Sequence, residues 1–520
     1  MKSLLGKMEK KIGNMKIGLV LLGGLILVLA ASSFLESATN ASFVDRLVYD
    51  TFWFKFLIGV MVLVIITSLI SKIPFKKKYL GFYLIHSSLI LILAGALLTS
   101  YTGINGEVVL YPRIPTNQIE LHNYELVVSS QGGMYSLTPT KSILLPYKAW
   151  AWNTSMEIFP QIILKQYLPF HGVRPWFGNE SFLSGYFSAF FELEVNGQAG
   201  EMVLSNHPQS EVSTRFVFKG IHFTLFPQVM QECFLQQTGY DFFFWDRKAQ
   251  KCFLPAGSQF KVGVSKLGNR FIEYNHQNQN YTFWPEMSPR PMKEPGVVIE
   301  DADIMVISKK VFESNADVLL FDDTLLVWSV SQQRYVITQL SKQWSHVHQM
   351  DLKIRIKEQD GGKPIINLPE AIIPRGAHQD QPAVLLQHND FDHWIWVERP
   401  YVFTHLNKTV KISLEKAKAQ LPFKIKLQKF EMQPYPESQM PATYQSSVEV
   451  DDGFMIDINM NNPLNYKGFR LFQSSYFEVN NGEYASVLTA SRDPGRLFKY
   501  LGSCLFLFGL VYYYFQKRVS

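Results

Sequence analysis

Cysteine is scarce in this chain of 520 residues, which contains three: Cys233, Cys252 and Cys504. No Cys-x-x-Cys-His segment occurs, which excludes covalently attached c-type haem, and no Cys-x-x-Cys redox motif occurs either. A redox or haem function of this chain would therefore have to proceed without these cysteine motifs.

Signatures of an autonomous enzyme are also missing. The chain has no phosphate-loop motif, no Gly-x-Ser-x-Gly elbow and no His-Glu-x-x-His, so no catalytic residue is predicted. His346 and His348 would lie on one face of a predicted strand, and His388 and His393 bracket two aspartates, but neither pair has a complete set of ligands. Solvated strand or loop positions explain these histidines better than a metal site, and no metal site is predicted.

Charge gives no signal for nucleic acid. The formal net charge of +6 is modest for 520 residues, and many of the cationic residues stand beside apolar runs. Charges in such positions report membrane topology and not a nucleic-acid surface. We therefore expect no nucleic-acid partner.

Long apolar runs are few, at about residues 17–35, 53–73, 79–101 and 497–515. Each is long enough to cross a hydrocarbon core of about 30 Å at about 1.5 Å per residue, which predicts a multi-pass protein in a lipid bilayer. A secretory signal peptide is the competing interpretation of the first run, because basic residues precede it and small residues follow. The length of that run and the closeness of the next one favour a transmembrane helix.

The lysines and arginines beside the runs predict the orientation. Lys76, Lys77 and Lys78 stand just before the third run, and Lys517 and Arg518 follow the fourth. By the positive-inside rule, both termini are predicted to be cytoplasmic. The protein is then expected in the cytoplasmic (inner) membrane, with the body between the third and fourth runs on the extracytoplasmic, or periplasmic, side.

That body, residues 102–493, is predicted to be β-rich. Short alternating stretches such as 190–195 place apolar and polar side chains on opposite faces of a strand, and Asn, Gly, Pro and Asp interrupt them. The predicted fold is a membrane protein with four transmembrane α-helices and a large β-rich extracytoplasmic domain inserted between helices 3 and 4. Its regions are 1–101, 102–493 and 494–520, and the prolines of 285–296 predict a boundary between two lobes.

Two cysteines of this body are predicted to pair. In an oxidising compartment, cysteines of one exported domain are more often bridged than free, which favours a structural disulfide between Cys233 and Cys252. Cys504 lies in the fourth apolar run, where a small residue for helix packing is the expected role.

One ionisable residue, His86, lies inside the third apolar run, about 10 Å along the helix from its lysine-flanked end. One interpretation is a histidine that hydrogen-bonds to a neighbouring helix or snorkels together with nearby Ser87 and Ser88. The other interpretation is an imidazole that ligates a metal or a metal-centred cofactor, since neutral imidazole is a good iron ligand and apolar walls suit a hydrophobic macrocycle. The residues alone leave both interpretations open.

Motifs at both ends of the chain resemble one family. His86 begins HSSLILILAGALLT, a histidine followed by an aliphatic run and a glycine. Towards the C-terminus, four motifs stand in order: PATYQS at 441–446, NPLNYKG at 462–468, QSSY at 473–476 and RDPG at 492–495. This order, and its spacing to the last apolar run, is similar to the ending of the ResB/CcsB family of cytochrome c biogenesis proteins. The resemblance covers the four runs and residues from about 423 onwards, while about 111–420 match in character alone.

The resemblance implies a membrane subunit that moves haem outward and assists its covalent attachment to the Cys-x-x-Cys-His motifs of apocytochrome c. It implies non-covalent haem b, with His86 as one axial ligand, and an accessory role in a cytochrome c haem lyase complex. The family's partner is a tryptophan-rich membrane protein of the CcsA/ResC type. This chain has no such tryptophan-rich segment, because Trp150 with Trp152 and Trp394 with Trp396 are isolated pairs, so the partner is expected to be a separate chain.

A function from another class stays open. The chain would then be a membrane-anchored envelope protein whose exported domain binds a ligand or a polymer, and His86 would serve packing alone. A neighbouring coding sequence for a tryptophan-rich membrane protein would favour the haem interpretation.

Overall fold

The computed structural model describes residues 15–131, 137–178, 185–236, 239–257, 259–266, 268–276, 279–294, 296–299, 302–315, 317–376, 381–434, 441–451, 453–480 and 482–519. The basic residues up to Lys11 that precede the first apolar run lie outside these ranges. In the described residues, four helices are long and apolar enough to cross a membrane: Met15–Ala38, Phe52–Ile70, Lys77–Thr102 and Arg496–Lys517. The predicted fold class is confirmed, and the chain is a membrane protein.

Helices are numbered here along the chain. They are α1 (Met15–Ala38), α2 (Ala41–Val44), α3 (Phe52–Ile70), α4 (Leu80–Thr102), α5 (Met230–Leu235), α6 (Lys309–Asn315) and α7 (Arg496–Val519). A π-helical turn, Asp45–Tyr49, follows α2, and 3-10 turns lie at Lys77–Tyr79 and His348–Met350. The turn at Lys77–Tyr79 leads directly into α4.

Strands make up most of the chain between α4 and α7. The first half are β1 (Ile104–Leu110), β2 (Pro115–Gln131), β3 (Leu137–Leu144), β4 (Trp152–Phe159), β5 (Ile162–Leu168), β6 (His171–Phe177), β7 (Ser188–Val195), β8 (Gln198–Ser205), β9 (Arg215–Phe218), β10 (Ile221–Leu225), β11 (Phe242–Asp246), β12 (Lys251–Phe253), β13 (Phe260–Val264), β14 (Arg270–His276), β15 (Gln279–Phe283) and β16 (Met292–Glu294). The second half are β17 (Val297–Val298), β18 (Ile304–Ser308), β19 (Val318–Leu320), β20 (Thr324–Ser329), β21 (Arg334–Gln339), β22 (Ser345–Val347), β23 (Leu352–Asp360), β24 (Ile365–Ala371), β25 (Ala383–His388), β26 (Phe391–Trp396), β27 (Tyr401–His405), β28 (Lys408–Pro434), β29 (Pro441–Val450), β30 (Phe454–Asn459), β31 (Leu464–Tyr466), β32 (Phe469–Asn480) and β33 (Glu483–Arg492).

The chain forms two units: a membrane-linked unit, residues 1–172 and 369–520, and an inserted unit, residues 173–368. The prolines of 285–296, at which the sequence predicts a lobe boundary, lie inside the inserted unit. The predicted extracytoplasmic body of residues 102–493 therefore includes the inserted unit and the β-structure of the membrane-linked unit.

Glycine allows α4 and α7 to pack closely in the membrane-linked unit. A Cβ atom placed on Gly495 would lie 1.9 Å from the carbonyl oxygen of Gly95, and one on Gly95 would lie 2.8 Å from the carbonyl oxygen of Gly495. Further along the pair, a Cβ on Gly502 would lie 2.7 Å from Ile92. Within a bilayer, helix association depends on such close packing because lipid tails are as apolar as the helices.

The same two helices continue into neighbouring strands. β1 follows α4 and β33 precedes α7, and the two strands pair in antiparallel register with Ile104 opposite Arg492 and Leu110 opposite Ser486. They belong to a ten-stranded sheet of order β30-β29-β28-β2-β1-β33-β32-β31, with β27 on β28 and β3 on β2. Side chains such as Val108, Phe423 and Leu488 form its buried core.

A second, four-stranded sheet of order β26-β25-β5-β4 covers the far parts of β2 and β28. Leu126 and Ile412 from the long strands pack with Leu164 and Val384 in a shared buried cluster. The alternation of apolar and polar residues predicts this layered arrangement of antiparallel strands.

The inserted unit has separate cores. A five-stranded sheet, β21-β20-β19-β10-β9, and a four-stranded sheet, β22-β23-β7-β8, contribute to one cluster that contains Phe191, Phe223 and Ile354. The pair β10 and β19 is parallel. The other clusters are rich in aromatic residues, among them Phe234 and Phe244.

Cys233 and Cys252 lie in the inserted unit, on α5 and β12. The structure joins them as a disulfide whose Cα atoms are 6.5 Å apart. Cys504 is free and exposed on α7, so it does not take the packing position that the sequence predicts.

Candidate functional site

His86 lies in the lysine-flanked half of α4 and is half-buried. Its Nδ1 atom is 2.9 Å from the carbonyl oxygen of Phe82, one turn earlier. Because a carbonyl oxygen can only accept, Nδ1 carries the proton, and Nε2 has a free lone pair. The ring of Phe82 lies against the imidazole, with centroids 3.7 Å apart, and further orients it. This tautomer is the one that a metal-ligating imidazole uses when its second nitrogen donates to a carbonyl.

The packing interpretation of His86 requires a partner on a neighbouring helix. In the described part of the chain, the one hydrogen bond of His86 stays within α4. Ser88, predicted as a nearby partner, donates instead to the carbonyl of Ile85 at 2.6 Å. By helical geometry, His86 lies about 140° around α4 from the line of Gly81, Ser88 and Gly95 that faces α7. The Nε2 atom is therefore not used to hold the helix pair together.

The opposite end of α4 has a charged cluster that the sequence analysis missed. Asp493 accepts from Thr99 at 2.5 Å and from Lys499 at 2.8 Å, so it joins α4 to the first turn of α7. Burial raises the pKa of the Asp493 carboxyl, but hydrogen bonds from Lys499 and Thr99 outweigh this and hold that pKa below its usual range. Lys499, a charged residue inside an apolar run, is the sequence signal that could have revealed this cluster.

The C-terminal motifs meet in a buried polar network. The Ser446 hydroxyl lies 2.6 Å from Gln473 Oε1 and 2.7 Å from the hydroxyl of Ser486, and all three side chains are buried. Gln473 Nε2 also donates to Ser486 and to the carbonyl of Ser475. A fully hydrogen-bonded polar group inside a sheet fixes strand register, so the TYQS and QSSY motifs have a structural role here.

The turn of the NPLNYKG motif also sets strand register. Lys467 and Gly468, with φ angles of 45° and 83°, form the two-residue connection between β31 and β32, and Tyr466 stands opposite Phe469. Two successive residues with positive φ are what a tight hairpin of this type requires.

The histidines for which the sequence predicts solvated positions form two pairs, and each pair has its own surroundings. The rings of His346 and His348 have centroids 4.1 Å apart, and His346 Nε2 is 3.8 Å from Asp351. His388 Nδ1 is 2.8 Å from the Tyr401 hydroxyl, and His393 stacks on the same tyrosine ring. Within the described ranges, no group of three histidine, cysteine, aspartate or glutamate side chains is arranged to hold a metal ion.

A cleft of about 860 Å³ lies within the inserted unit. Met230, Trp245 and Phe312 are among its apolar lining residues, and Arg215 and Arg247 are among its basic ones. Its size and mixed lining are typical of a site for a small ligand. The sequence analysis did not detect this cleft, because its residues come from segments that are distant along the chain.

Comparison with known proteins gives two matches. Residues 402–485 match the family model described as the ResB-like family, a segment that runs from β27 into β33. Over 97 residues, the chain is 38% identical to Protein NrfI of Wolinella succinogenes, which is 18% of this chain and 10% of that protein. The chain thus aligns with about a tenth of its relative's length. The segment matched to the family model contains Ser446 and Gln473 of the buried polar network.

Proposed function

We propose that this chain is a membrane subunit of the cytochrome c maturation machinery, which moves haem outward and assists its attachment to apocytochrome c. The single observation that supports this most is the free Nε2 of His86 inside a membrane helix of a ResB-like chain. An ionisable residue in a span is costly to place in the bilayer, so a function is the default hypothesis for such a residue.

The residues around His86 fit haem. The hydrogen bond to Phe82 fixes the tautomer with a free Nε2, and neighbours such as Phe82 and Ile90 are apolar. When bound, haem would supply an iron centre with an open axial position, which His86 would fill. The role of this chain is then to bind and orient non-covalent haem b, while the absence of hydrolase and nucleotide motifs favours an accessory subunit over a self-sufficient lyase.

The proposed partner is a tryptophan-rich membrane protein of the CcsA/ResC type. Haem needs a second axial ligand when it is six-coordinate, and no second histidine lies in the four spans. A partner chain would supply that ligand and the haem-handling segment that this sequence lacks.

The proposed orientation places both termini in the cytoplasm and residues 102–493 outside. Lys76, Lys77 and Lys78 support it, because they lie next to spans, where basic residues determine orientation. Alkaline phosphatase fused after Asn105 should be active and after Lys78 inactive. The reverse activities would contradict this orientation.

Cytochrome c output tests the proposed function. Cells that lack this chain should regain covalent c-type cytochromes when they express the wild-type protein but not His86→Ala, at equal membrane levels of the two. Ser87→Ala is the matched control and should restore output. Full output with His86→Ala would overturn the role of His86.

A second candidate function, binding of a ligand by the exported part of an envelope protein, is favoured by the cleft of the inserted unit. On that alternative, Arg247→Glu in the cleft should fail to replace the wild-type chain in cells that lack it, whereas His86→Ala should replace it fully. The opposite pattern supports the haem function.

A further inference from the structure

A second set of residues lies at the lysine-flanked end of α4, the end that is nearer to His86. Phe82 and His86, four residues apart, lie on one face of α4, and Tyr79, the last residue of the preceding 3-10 turn, caps the N-terminal end of that helix. Side chains on a helix lean towards its N-terminus, and the contact between His86 and Phe82 shows this direction here. The imidazole therefore leans towards Tyr79, about 10 Å away along the helix axis.

Two ammonium groups converge on Tyr79. Lys72, just after α3, has its Nζ 5.4 Å from the centroid of the Tyr79 ring, and Lys78 has its Nζ 5.1 Å from the same centroid. They come from different segments of the chain, and the hydrogen bond from the Tyr83 hydroxyl to the carbonyl of Lys72, 2.6 Å long, ties these segments together. The two cations thus lie at the end of α4 that is nearer to His86.

Within the described ranges, no carboxylate is paired with either of these two cations. The sequence has no aspartate or glutamate from 51 to 106 or from 494 to 520, and in the described residues neither Lys72 nor Lys78 forms an ion pair. At the opposite end of the helices, Lys55 is paired with Asp50 at 2.5 Å and Lys499 with Asp493 at 2.8 Å. Among the residues that the structure describes, the lysines at the outer end are thus paired within the chain, whereas Lys72 and Lys78 are available to an anionic ligand.

We propose that Lys72 and Lys78 bind the propionate carboxylates of the haem whose iron faces His86. This inference rests on the proposed function. Haem has an apolar ring with two carboxylates on one edge, and an unpaired carboxylate is costly to place in a hydrocarbon environment. A nitrogen ligand inside the span and two ammonium groups at the end of the same helix would suit that distribution of apolar and charged groups. The lysines then fix which edge of the ring points to the membrane surface.

The test compares haem with its dimethyl ester, in which both propionates are uncharged. Each is titrated into the purified full-length chain, and binding is followed by the change in the haem absorption spectrum that depends on His86. The wild-type chain should bind haem at least about tenfold more tightly than the ester. In Lys72→Gln/Lys78→Gln, haem affinity should fall to that of the ester, while ester affinity stays unchanged.

Lys76→Gln/Lys77→Gln is the matched control, because it removes the same charge from the same loop but spares the two lysines at Tyr79. This control variant should keep most of the preference for haem over the dimethyl ester. An equal loss in both double variants means that surface charge alone attracts haem, as it would attract anionic lipid, and overturns the assignment. Equal binding of haem and ester by the wild-type chain, with an intact His86-dependent spectrum, also overturns it. Absence of that spectrum with either molecule contradicts the proposed function itself.

Discussion

The membrane-linked unit and the inserted unit differ in how they are stabilised and in what they contain. In the membrane-linked unit, glycine contacts between α4 and α7 continue into the pairing of β1 with β33, and a buried serine and glutamine network fixes the adjoining strands. The inserted unit has aromatic cores and the disulfide. Both His86 and the segment matched to the ResB-like family lie in the membrane-linked unit. The residues on which the proposed function rests therefore belong to the unit that continues directly from the helices.

Gly495→Ala should have the largest effect on the membrane-linked unit. The new Cβ would collide with the backbone of Gly95, which cannot move aside without separating α4 from α7. We expect a loss of about 3 kcal/mol in the free energy of unfolding, measured by thermal unfolding of the full-length chain in detergent. Gly59→Ala on α3 is the matched control, because no atom lies within 4 Å of its added Cβ. Equal stability of the Gly495 variant and wild type would contradict the close helix contact.

Removal of the disulfide should affect the inserted unit alone. Cys233 and Cys252 are separated by 19 positions, and a crosslink over such a loop contributes about 3 kcal/mol. The double variant Cys233→Ser/Cys252→Ser should therefore increase proteolysis within residues 173–368. Haem binding by His86 should persist, since that residue lies in the other unit. Loss of haem in a variant whose helices remain intact would contradict the proposal that the disulfide affects the inserted unit alone.

Gly468→Val should destabilise the hairpin of β31 and β32. A β-branched residue at a φ of 83° is strained, which costs about 2 kcal/mol. Lower protein levels and weaker co-purification of the partner should accompany lower cytochrome c output. Gly468→Asn is the control, because asparagine adopts positive φ more easily. If maturation is abolished while the complex and its haem stay at normal amounts, this turn contacts haem or apocytochrome directly.

Acid should weaken the junction between α4 and α7 by a smaller amount. Burial raises the pKa of Asp493, but its hydrogen bonds to Lys499 and Thr99 hold that pKa below the usual value of about 3.9. The stabilisation is thus fully present above about pH 4 and is lost as the pH falls through the lower, folded-state pKa. Thermal unfolding between pH 6 and pH 3 should show this loss, and Asp493→Asn should reduce it. A pH dependence that is identical in the variant would exclude Asp493 as its source.

The sequence predicts the spans and the strand-rich character well, because both follow from local patterns. Length and hydropathy predict four spans, and alternation predicts antiparallel strands at positions such as Phe191 and Leu193. The division at residues 172 and 368 is not visible in the sequence, since it depends on which distant strands pair. Proline content at 285–296 is a local signal and does not report those long-range contacts.

The candidate site is predictable only in part. A lone histidine in an apolar run predicts His86, but its hydrogen bond to Phe82 and its free Nε2 depend on three-dimensional geometry. Lys72 and Lys78 predict topology by their sequence position, whereas their approach to Tyr79 requires the fold of the loop between α3 and α4. The pairing of Asp493 with Thr99 likewise joins residues almost four hundred positions apart.

Haem content of the purified complex tests the central claim, that His86 ligates haem, most directly. The full-length chain is purified with its partner as wild type, His86→Ala and Ser87→Ala, and haem per chain is measured as the pyridine haemochrome. We predict that His86→Ala loses most of its non-covalent haem, that Ser87→Ala keeps it, and that free imidazole partly restores the spectrum of the histidine variant. Unchanged haem content in His86→Ala would contradict the ligand assignment and leave His86 as a residue of helix packing.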